Sequence, residues 1–389
     1  GKASGRFEIG GTATQPEVDG RITLNNYSTL VEMLGLRYAL DEHTIAVNNT
    51  LIDVGTLTLR DTSGNTATFG GRIEHDFFQT FDLDLNFNTS RLQVLNTTPE
   101  QNNLYYGDLF ISANVDITGD AFEPNVNVTA ARTLENSALF IQPLSYEAAL
   151  SQQDFIIFDN PATYQEDTTL SINEVYQVNS AGVDLLMNLE VTDDAELQII
   201  IDPTMGDKLT ARGNANVTLE MNPAGDVFVT GNYALTSGAY NLNYQGVLRK
   251  EFVINPGSNI TLVGDPLNSR FNITALYTAK TTTYELIANE ATSISAAEEA
   301  ATKQRTDVNV VMNINGTLDE PVIEFDIRLP ENLSNTTSST VARKIAQLRD
   351  DPTELNKQVF GLLLLGGFLT PSSGGGGGIA GAGQSVALK

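Results

Sequence analysis

The sequence predicts a mainly β protein: an elongated sheet of repeated strands with its apolar side chains on one face, followed by short C-terminal helices. Three observations carry this. Apolar and polar residues alternate strictly in many segments, the pattern of a strand with one buried and one wet face. A turn unit, glycine followed five residues later by proline, recurs between those segments. Clear helical spacing is confined to the region after residue 338.

Phe81-Asp82-Leu83-Asp84-Leu85-Asn86-Phe87-Asn88 places four large apolar side chains on one side of a strand and polar ones on the other. Val126-Asn127-Val128-Thr129, Val217-Thr218-Leu219-Glu220-Met221-Asn222 and Ile323-Glu324-Phe325-Asp326-Ile327-Arg328-Leu329 repeat the pattern. Parallel strands covered on both faces would read as continuous apolar runs, and no alternation of strands with helices occurs. The turn unit appears at Gly11 and Pro16, Gly119 and Pro124, and Gly316 and Pro321, with a degenerate copy at Gly264-Asp265-Pro266. Glycine supplies a backbone conformation that other residues avoid, and proline begins the next strand where its missing N–H does least harm. Strand, turn and strand without helices predict stacked units that bury each other's apolar faces.

Val341, Ile345 and Leu348 share one helical face after the capping candidates Ser338, Ser339 and Thr340. Asp351-Pro352-Thr353-Glu354 then supplies an N-cap acid and a proline at the first helical position, with Leu355, Val359, Leu362 and Leu363 following at helical spacing. Glu285 to Gln304 has no apolar stripe and is expected to be a mobile insertion holding at most a short helix. The run Gly374 to Gly378 has flexible-linker composition.

Composition excludes several functions. The 389 residues are 41% hydrophobic, ample for a core. With no cysteine there is no disulfide, thiolate metal site or thiol nucleophile. A net charge of -26 argues against a nucleic-acid partner and keeps a chain with apolar surface soluble. His43 and His75 are the only imidazoles, too few and too isolated for a metal centre or general base. Gly376, Gly378 and Gly381 match a dinucleotide fingerprint only in a low-complexity tail without a preceding strand. Acids such as Asp82, Asp84 and Asp326 alternate with apolar residues as a solvated face does, without calcium-loop spacing. Sequons such as Asn127-Val128-Thr129 follow from Asn and Thr on wet strand faces. No cofactor and no enzymatic activity are expected. The longest apolar run, Val359 to Leu369, is broken by Gly361, Gly366 and Gly367 and falls short of a bilayer-spanning helix, so any anchor is expected outside this sequence.

The order of several motifs resembles the C-terminal domain of TamB, the translocation and assembly module subunit. Gly231-Asn232-Tyr233 and Gly238-Ala239-Tyr240 form a G-x-Y pair, followed by Phe252-Val253-Ile254-Asn255-Pro256-Gly257-Ser258-Asn259-Ile260, Gly264-Asp265-Pro266 and Thr274-Ala275-Leu276-Tyr277. Gly316-Thr317-Leu318-Asp319-Glu320-Pro321 and the Asp351-Pro352 helix leading to Val359-Phe360-Gly361-Leu362-Leu363 continue that order, and Gly55 to Ala130 is similar to the neighbouring part of the region.

The resemblance implies a long curled sheet, a β-taco with an apolar concave groove, similar to AsmA and bridge-like lipid carriers. It implies a periplasmic location in a Gram-negative envelope and an inner-membrane anchor through an N-terminal segment. The expected partners are phospholipid acyl chains, a TamA-like or BamA-family outer-membrane barrel with POTRA domains, and nascent outer-membrane proteins. On this reading residues 1–130 are upstream groove repeats and 131–330 the β-taco core, with the mobile insertion at 285–305. Residues 331–370 are C-terminal helices and 371–389 a flexible Gly-rich tail. The expected groove lining is Phe81, Leu83, Leu85, Phe87, Val126, Val128, Val217, Leu219, Met221, Phe271, Ile273, Phe325 and Ile327. Ordinary core packing is the plain alternative for each. The expected function is conduction of phospholipid between the inner and outer membranes, with support for outer-membrane protein assembly. The rival readings are a scaffold for nascent outer-membrane proteins and a surface β-solenoid adhesin.

Overall fold

The alternating segments become long strands in the computed structural model, which describes residues 1–12, 14–102, 104–142, 182–202, 206–244, 248–329 and 339–370. The expected tail at 371–389 lies outside the described residues. The chain divides into two units, one of Gly1–Gln198, Arg212–Tyr233 and Thr261–Ser269, the other of Ile199–Ala211, Ala234–Ile260 and Arg270–Lys389. The division cuts through strands rather than falling between repeats, which a linear reading of the chain does not show.

The first unit opens on a hairpin of β1 (Lys2–Gly11) and β2 (Pro16–Asn25), and β2 pairs in turn with β5 (His43–Val47). A second hairpin, β3 (Tyr27–Val31) and β4 (Leu36–Leu40), lies between them in sequence, and β4 and β5 pair with opposite ends of β6 (Leu51–Arg60). Antiparallel pairing continues through β7 (Thr66–Asp76), β8 (Thr80–Thr97) and β9 (Tyr105–Asp120). One half of β9 then pairs with β10 (Asn125–Thr133) and the other with β11 (Ala138–Ile141). β12 (Asp184–Val191) runs parallel to β10. β13 (Glu196–Asp202) and β14 (Asp207–Met221) follow, and the Ala215–Met221 part of β14 pairs antiparallel with β12.

The recurring Gly and Pro positions are hairpin turns of one construction. Gly11 faces Pro16 and Gly316 faces Pro321 across their strands, and Thr118 facing Asn125 puts Gly119 at the corresponding place. All three glycines are left-handed, at φ +75, +87 and +83 for Gly11, Gly119 and Gly316. The residue after each glycine closes the loop with its side chain: Thr12 Oγ1 accepts from Gln15 N–H, Thr317 Oγ1 from Glu320 N–H, and Asp120 Oδ1 from Phe122 N–H. The degenerate copy instead forms a 3-10 turn at Pro266–Asn268, started by Asp265 accepting from Leu267 N–H.

The remaining strands are β15 (Val227–Tyr244), β16 (Leu248–Ile254), β17 (Asn259–Gly264), β18 (Arg270–Thr281), β19 (Thr306–Gly316) and β20 (Pro321–Arg328). In the second unit the latter part of β15 pairs with β16, β16 with β18, β18 with β19 and β19 with β20. Ile273 faces Ile314, Ala275 faces Met312 and Ala279 faces Val308, and all six side chains are buried. Between β18 and β19 a 3-10 segment, Glu285–Ser293, leads into a helix, Ala296–Thr302, capped by Ser295. Leu286 and Ile287 are fully buried, so the segment expected to be loosely held is anchored by two adjacent side chains, too few to make a stripe in the sequence.

The helices Ser339–Arg349 and Pro352–Phe360 pack on β20, and the first also packs on the 3-10 segment. Val341, Ile345, Leu348, Leu355, Val359, Leu362 and Leu363, the residues of the expected stripe, are buried. Asp351 Oδ1 accepts from the N–H groups of Thr353 and Glu354, the cap foreseen in the sequence. Fully buried Gln358 acts as a backbone substitute for Leu369: its amide donates to the Leu369 carbonyl at 3.0 Å and accepts from the Leu369 N–H at 2.9 Å. Arg349 ties its helix to β20, reaching Asp326 at 2.8 Å and the Ile327 carbonyl at 3.2 Å.

Two predictions follow from these contacts. A Cβ on Gly316 would lie 2.4 Å from the Glu320 carbonyl oxygen at a φ that L-residues avoid, so Gly316→Ala should destabilise the protein by about 1–2 kcal/mol. The check is a lower urea midpoint at unchanged m-value. Burial pushes the Asp326 carboxyl up, but hydrogen bonds from Arg349, the Ile327 N–H and Arg328 outweigh it and hold the group below its ordinary value. A depressed folded pKa gives stability that is present above the unfolded value, near 3.9, and is lost as pH falls through the folded one. Protection of the Ser339–Arg349 amides against hydrogen exchange, taken relative to the intrinsic rate at each pH, should therefore fall below about pH 4, and Asp326→Asn should flatten that dependence.

Candidate functional site

In the first unit the registers align the apolar side chains of neighbouring strands into continuous rows. Leu57 faces Phe69, Phe69 faces Phe87, Phe87 faces Val115, and Val115 faces Val128. The row continues from Val128 to Met187 and from Met187 to Leu219. It crosses β6, β7, β8, β9, β10, β12 and β14, roughly 30 Å at about 4.8 Å per strand. A second row of Leu85, Ile117, Val126, Leu185 and Met221 runs beside it. Facing pairs on one side of a sheet are close enough to pack, and these side chains form two apolar clusters, around Leu85 and around Val128.

The rows remain accessible to a degree the second unit does not share. Phe81, Leu83, Phe87, Val126, Val217, Leu219 and Met221 are half-buried, while Leu85 at 9% and Val128 at 7% exposure lie deeper among their neighbours. Residues between them point the other way and are polar. Asn88 bonds Asn114, Thr218 donates to Asn188 at 3.1 Å, Arg72 pairs with Asp84 at 3.0 Å, and Arg132 pairs with Glu190 at 3.8 Å. In the second unit Phe271, Ile273 and Ile327 are closed into the core, and half-buried Phe325 rests 6.1 Å from the Phe252 ring. For those three the core alternative wins: neighbouring strands and the C-terminal helices leave them almost no surface to offer.

Bulges and a polar seam delimit the apolar face. Register shifts at Asp53/Gly55, Thr89/Leu92 and Thr129/Arg132 bend β6, β8 and β10. Beyond those on β8 and β10 buried polar side chains, Gln93, Thr97 and Thr133, stand among buried Leu92, Leu95 and Ala131. Asp61, buried and held below the ordinary carboxylate range, accepts from Ser63 N–H, Asn65 N–H, the Asn65 amide and Gln93 N–H. These bonds outweigh the burial that pushes its pKa up. Tyr38 donates to the Gln93 carbonyl at 2.8 Å, its phenol pushed up to about 12 by burial and by Asp61. Further along, Thr192 donates through its N–H and hydroxyl to Thr133. These satisfied polar groups offer nothing to an apolar ligand and mark where the rows stop.

Sequence reasoning missed Leu57, Phe69, Val115, Ile117, Leu185 and Met187. Gly70 and Gly71 interrupt the alternation after Phe69, and Leu186, exposed on the wet face, interrupts it between Leu185 and Met187. The cross-strand registers reveal these, whereas Leu57-Thr58-Leu59 and Val115-Asp116-Ile117 alternate in the sequence and were legible as strand without being assigned to the face. His75 uses both ring nitrogens within the fold, Nε2 bonding the Asn48 carbonyl at 3.0 Å and Nδ1 accepting from Phe78 N–H at 3.3 Å. His43 bonds the Val54 carbonyl. Among the described residues no group of three metal-ligating side chains converges, and no helix is long and apolar enough to cross a membrane.

Neither curated proteins nor solved structures matched the chain. The family model of the TamB C-terminal domain matches residues 55–389, which takes in both apolar rows and the strands and helices of the second unit. That family is an envelope-associated transport and assembly component that works in the translocation and assembly module with TamA-like outer-membrane proteins. By the extent of that match, the chain belongs to the TamB C-terminal domain family.

Proposed function

We propose that the half-exposed rows of the first unit hold phospholipid acyl chains and let them pass along the sheet in the periplasm, between inner and outer membranes. The observation that carries this is the unbroken row from Leu57 to Leu219, apolar on every strand it crosses and half-buried at Phe69, Phe87, Val115, Met187 and Leu219, with Leu57 and Val128 deeper. A leaflet of hydrocarbon is about 15 Å thick, half of a bilayer core of about 30 Å. The row therefore exceeds one acyl chain, and a chain can advance strand by strand without leaving apolar surface. Each Å² of apolar area removed from water contributes about 25 cal/mol, and because successive strands present similar side chains, positions along the row differ little in energy. The bulges would give the sheet its curl, making the rows the concave side of a groove. Phe81, Leu83, Phe87, Val126, Val217, Leu219 and Met221 are the expected lining residues that keep enough surface for this. A barrel of the TamA or BamA class would receive the cargo or couple it to outer-membrane protein assembly.

A second reading, a scaffold for nascent outer-membrane proteins, draws support from β1. All ten of its residues are exposed, so its outer edge is open to strand addition. An adhesin reading has no comparable observation.

Leu219→Asp should leave folding nearly intact, because the side chain is half-buried rather than closed into a core, while lowering lipid photocrosslinking along the face at least tenfold. Ile327→Asp, at 0% exposure, should instead unfold the protein, with several kcal/mol lost to a buried charge. Unchanged lipid crosslinking in a folded Leu219→Asp protein would remove the conduit. Client polypeptide crosslinked to β1, with no lipid on the rows, would favour the scaffold.

A further inference from the structure

The β7–β8 and β9–β10 hairpins turn at the same end of the first unit's sheet, since these strands alternate in direction. Three features gather there that the strand pattern does not require. The turn between β7 and β8, closed by Gln79 N–H to the Asp76 carbonyl at 2.9 Å, holds Phe77 at φ 45 and Phe78 at φ 60. Two successive left-handed residues suit Asn-Gly, and bulky aromatics are disfavoured at both places. Phe78 is kept there by stacking on His75 at 3.9 Å and by donating its N–H to His75 Nδ1. Beside the turn, Glu74 faces Asp82 and Asp82 faces Asp120, so three exposed acids stand in one row on adjacent strands. Like charges directly opposite one another repel, and among the described residues no lysine or arginine pairs with Asp82 or Asp120. At the β9–β10 tip Phe122 is 71% exposed, and the neighbouring Ala121 N–H donates to the Phe81 carbonyl, tying that tip to β8.

Of the three acids, Arg72 reaches only Glu74, at 3.9 Å. Strained backbone at Phe77 and Phe78, the charges of Asp82 and Asp120 and the exposed ring of Phe122 at one place each oppose folding, and such departures from local rules concentrate where a protein meets a partner. We infer that the two tips form a docking edge for a protein partner whose contact surface is apolar and flanked by Lys or Arg. Phe122 supplies an exposed anchor of the kind that dominates binding energy, with half-buried Phe77 and Phe78 at the neighbouring tip. The acids supply charge complementarity and select against other surfaces. The tips lie about 10 Å apart, two strand spacings, so one secondary-structure element of the partner reaches both. An anionic bilayer is the less suitable occupant, because the same acids and the net charge of -26 repel it.

The test places a photoreactive phenylalanine analogue at Phe122 in the full-length protein in cells. The expected product is one polypeptide adduct, mapped by mass spectrometry to a surface bearing Lys or Arg around apolar residues. In the double variant Phe77→Asn, Phe78→Gly the turn gains its preferred residues, so thermal stability should hold or rise while adduct yield falls at least tenfold. The charge variant Asp82→Lys, Asp120→Lys should lower the yield similarly. A phospholipid adduct, no adduct, or a polypeptide adduct indifferent to both variants would overturn the inference.

Discussion

Everything in the first unit depends on register. Side chains alternate with period two along a strand, so slipping any pairing by one residue would turn a strand's apolar set onto the wet face. The row from Leu57 to Leu219 survives six successive pairings, one of them the parallel pair of β10 and β12. The hairpin turns hold part of this register. At Gly119 a left-handed glycine and a side-chain cap fix the loop length, so Ile117 must face Val126. The polar seam holds the rest: Asp61 joins the β6–β7 turn to β8 through Gln93, and Gln93 in turn reaches Asp108 on β9. A slipped register would leave these buried polar groups without partners, which costs about 1–3 kcal/mol for each.

The two units apply the same alternating pattern to different ends. In the second, β18 and β19 bury most of their apolar side chains and β20 buries Ile327, and the helix pair, pinned by Arg349 on Asp326 and by Gln358 on Leu369, packs on β20. In the first, the equivalent side chains pack on one another along the rows, most of them half-buried and Leu57, Leu85 and Val128 deeper. An exposed apolar strip of this size invites association. Its counterweight is the other face, where Asp84, Asp116, Glu190 and Glu220 stand at alternating positions, and the net charge of -26, which keeps copies apart.

What the sequence disclosed was local. Strands, glycine turns, the Asp351 cap and the helical stripe through Val359 are set by residues a few positions apart, and each was legible. Whether an apolar face is open or covered depends on residues far along the chain, and there the sequence was silent. Val217-Thr218-Leu219 and Phe271-Asn272-Ile273 are the same pattern, yet both apolar side chains of the first are half-buried and both of the second are buried at 4% and 1% exposure. Leu286 and Ile287 escaped notice because two adjacent apolar residues in an Ala- and Glu-rich stretch have no period. Phe69 and Met187 escaped because Gly70, Gly71 and Leu186 break the alternation beside them.

Those breaks are also what shapes the face. Gly71 stands opposite Leu85 within the second row, and a Cβ there would lie 2.2 Å from the Asp84 carbonyl oxygen. Glycine at this place therefore answers to backbone approach, and it leaves a gap between Phe69 and Ile73 on the apolar side. A strip of uniformly large side chains would fill itself, each packing against the next until little surface remained. Glycine at Gly71 and bulges bending the strands alongside leave most row residues half-buried, while Leu57, Leu85 and Val128 lie deeper and hold the sheet together.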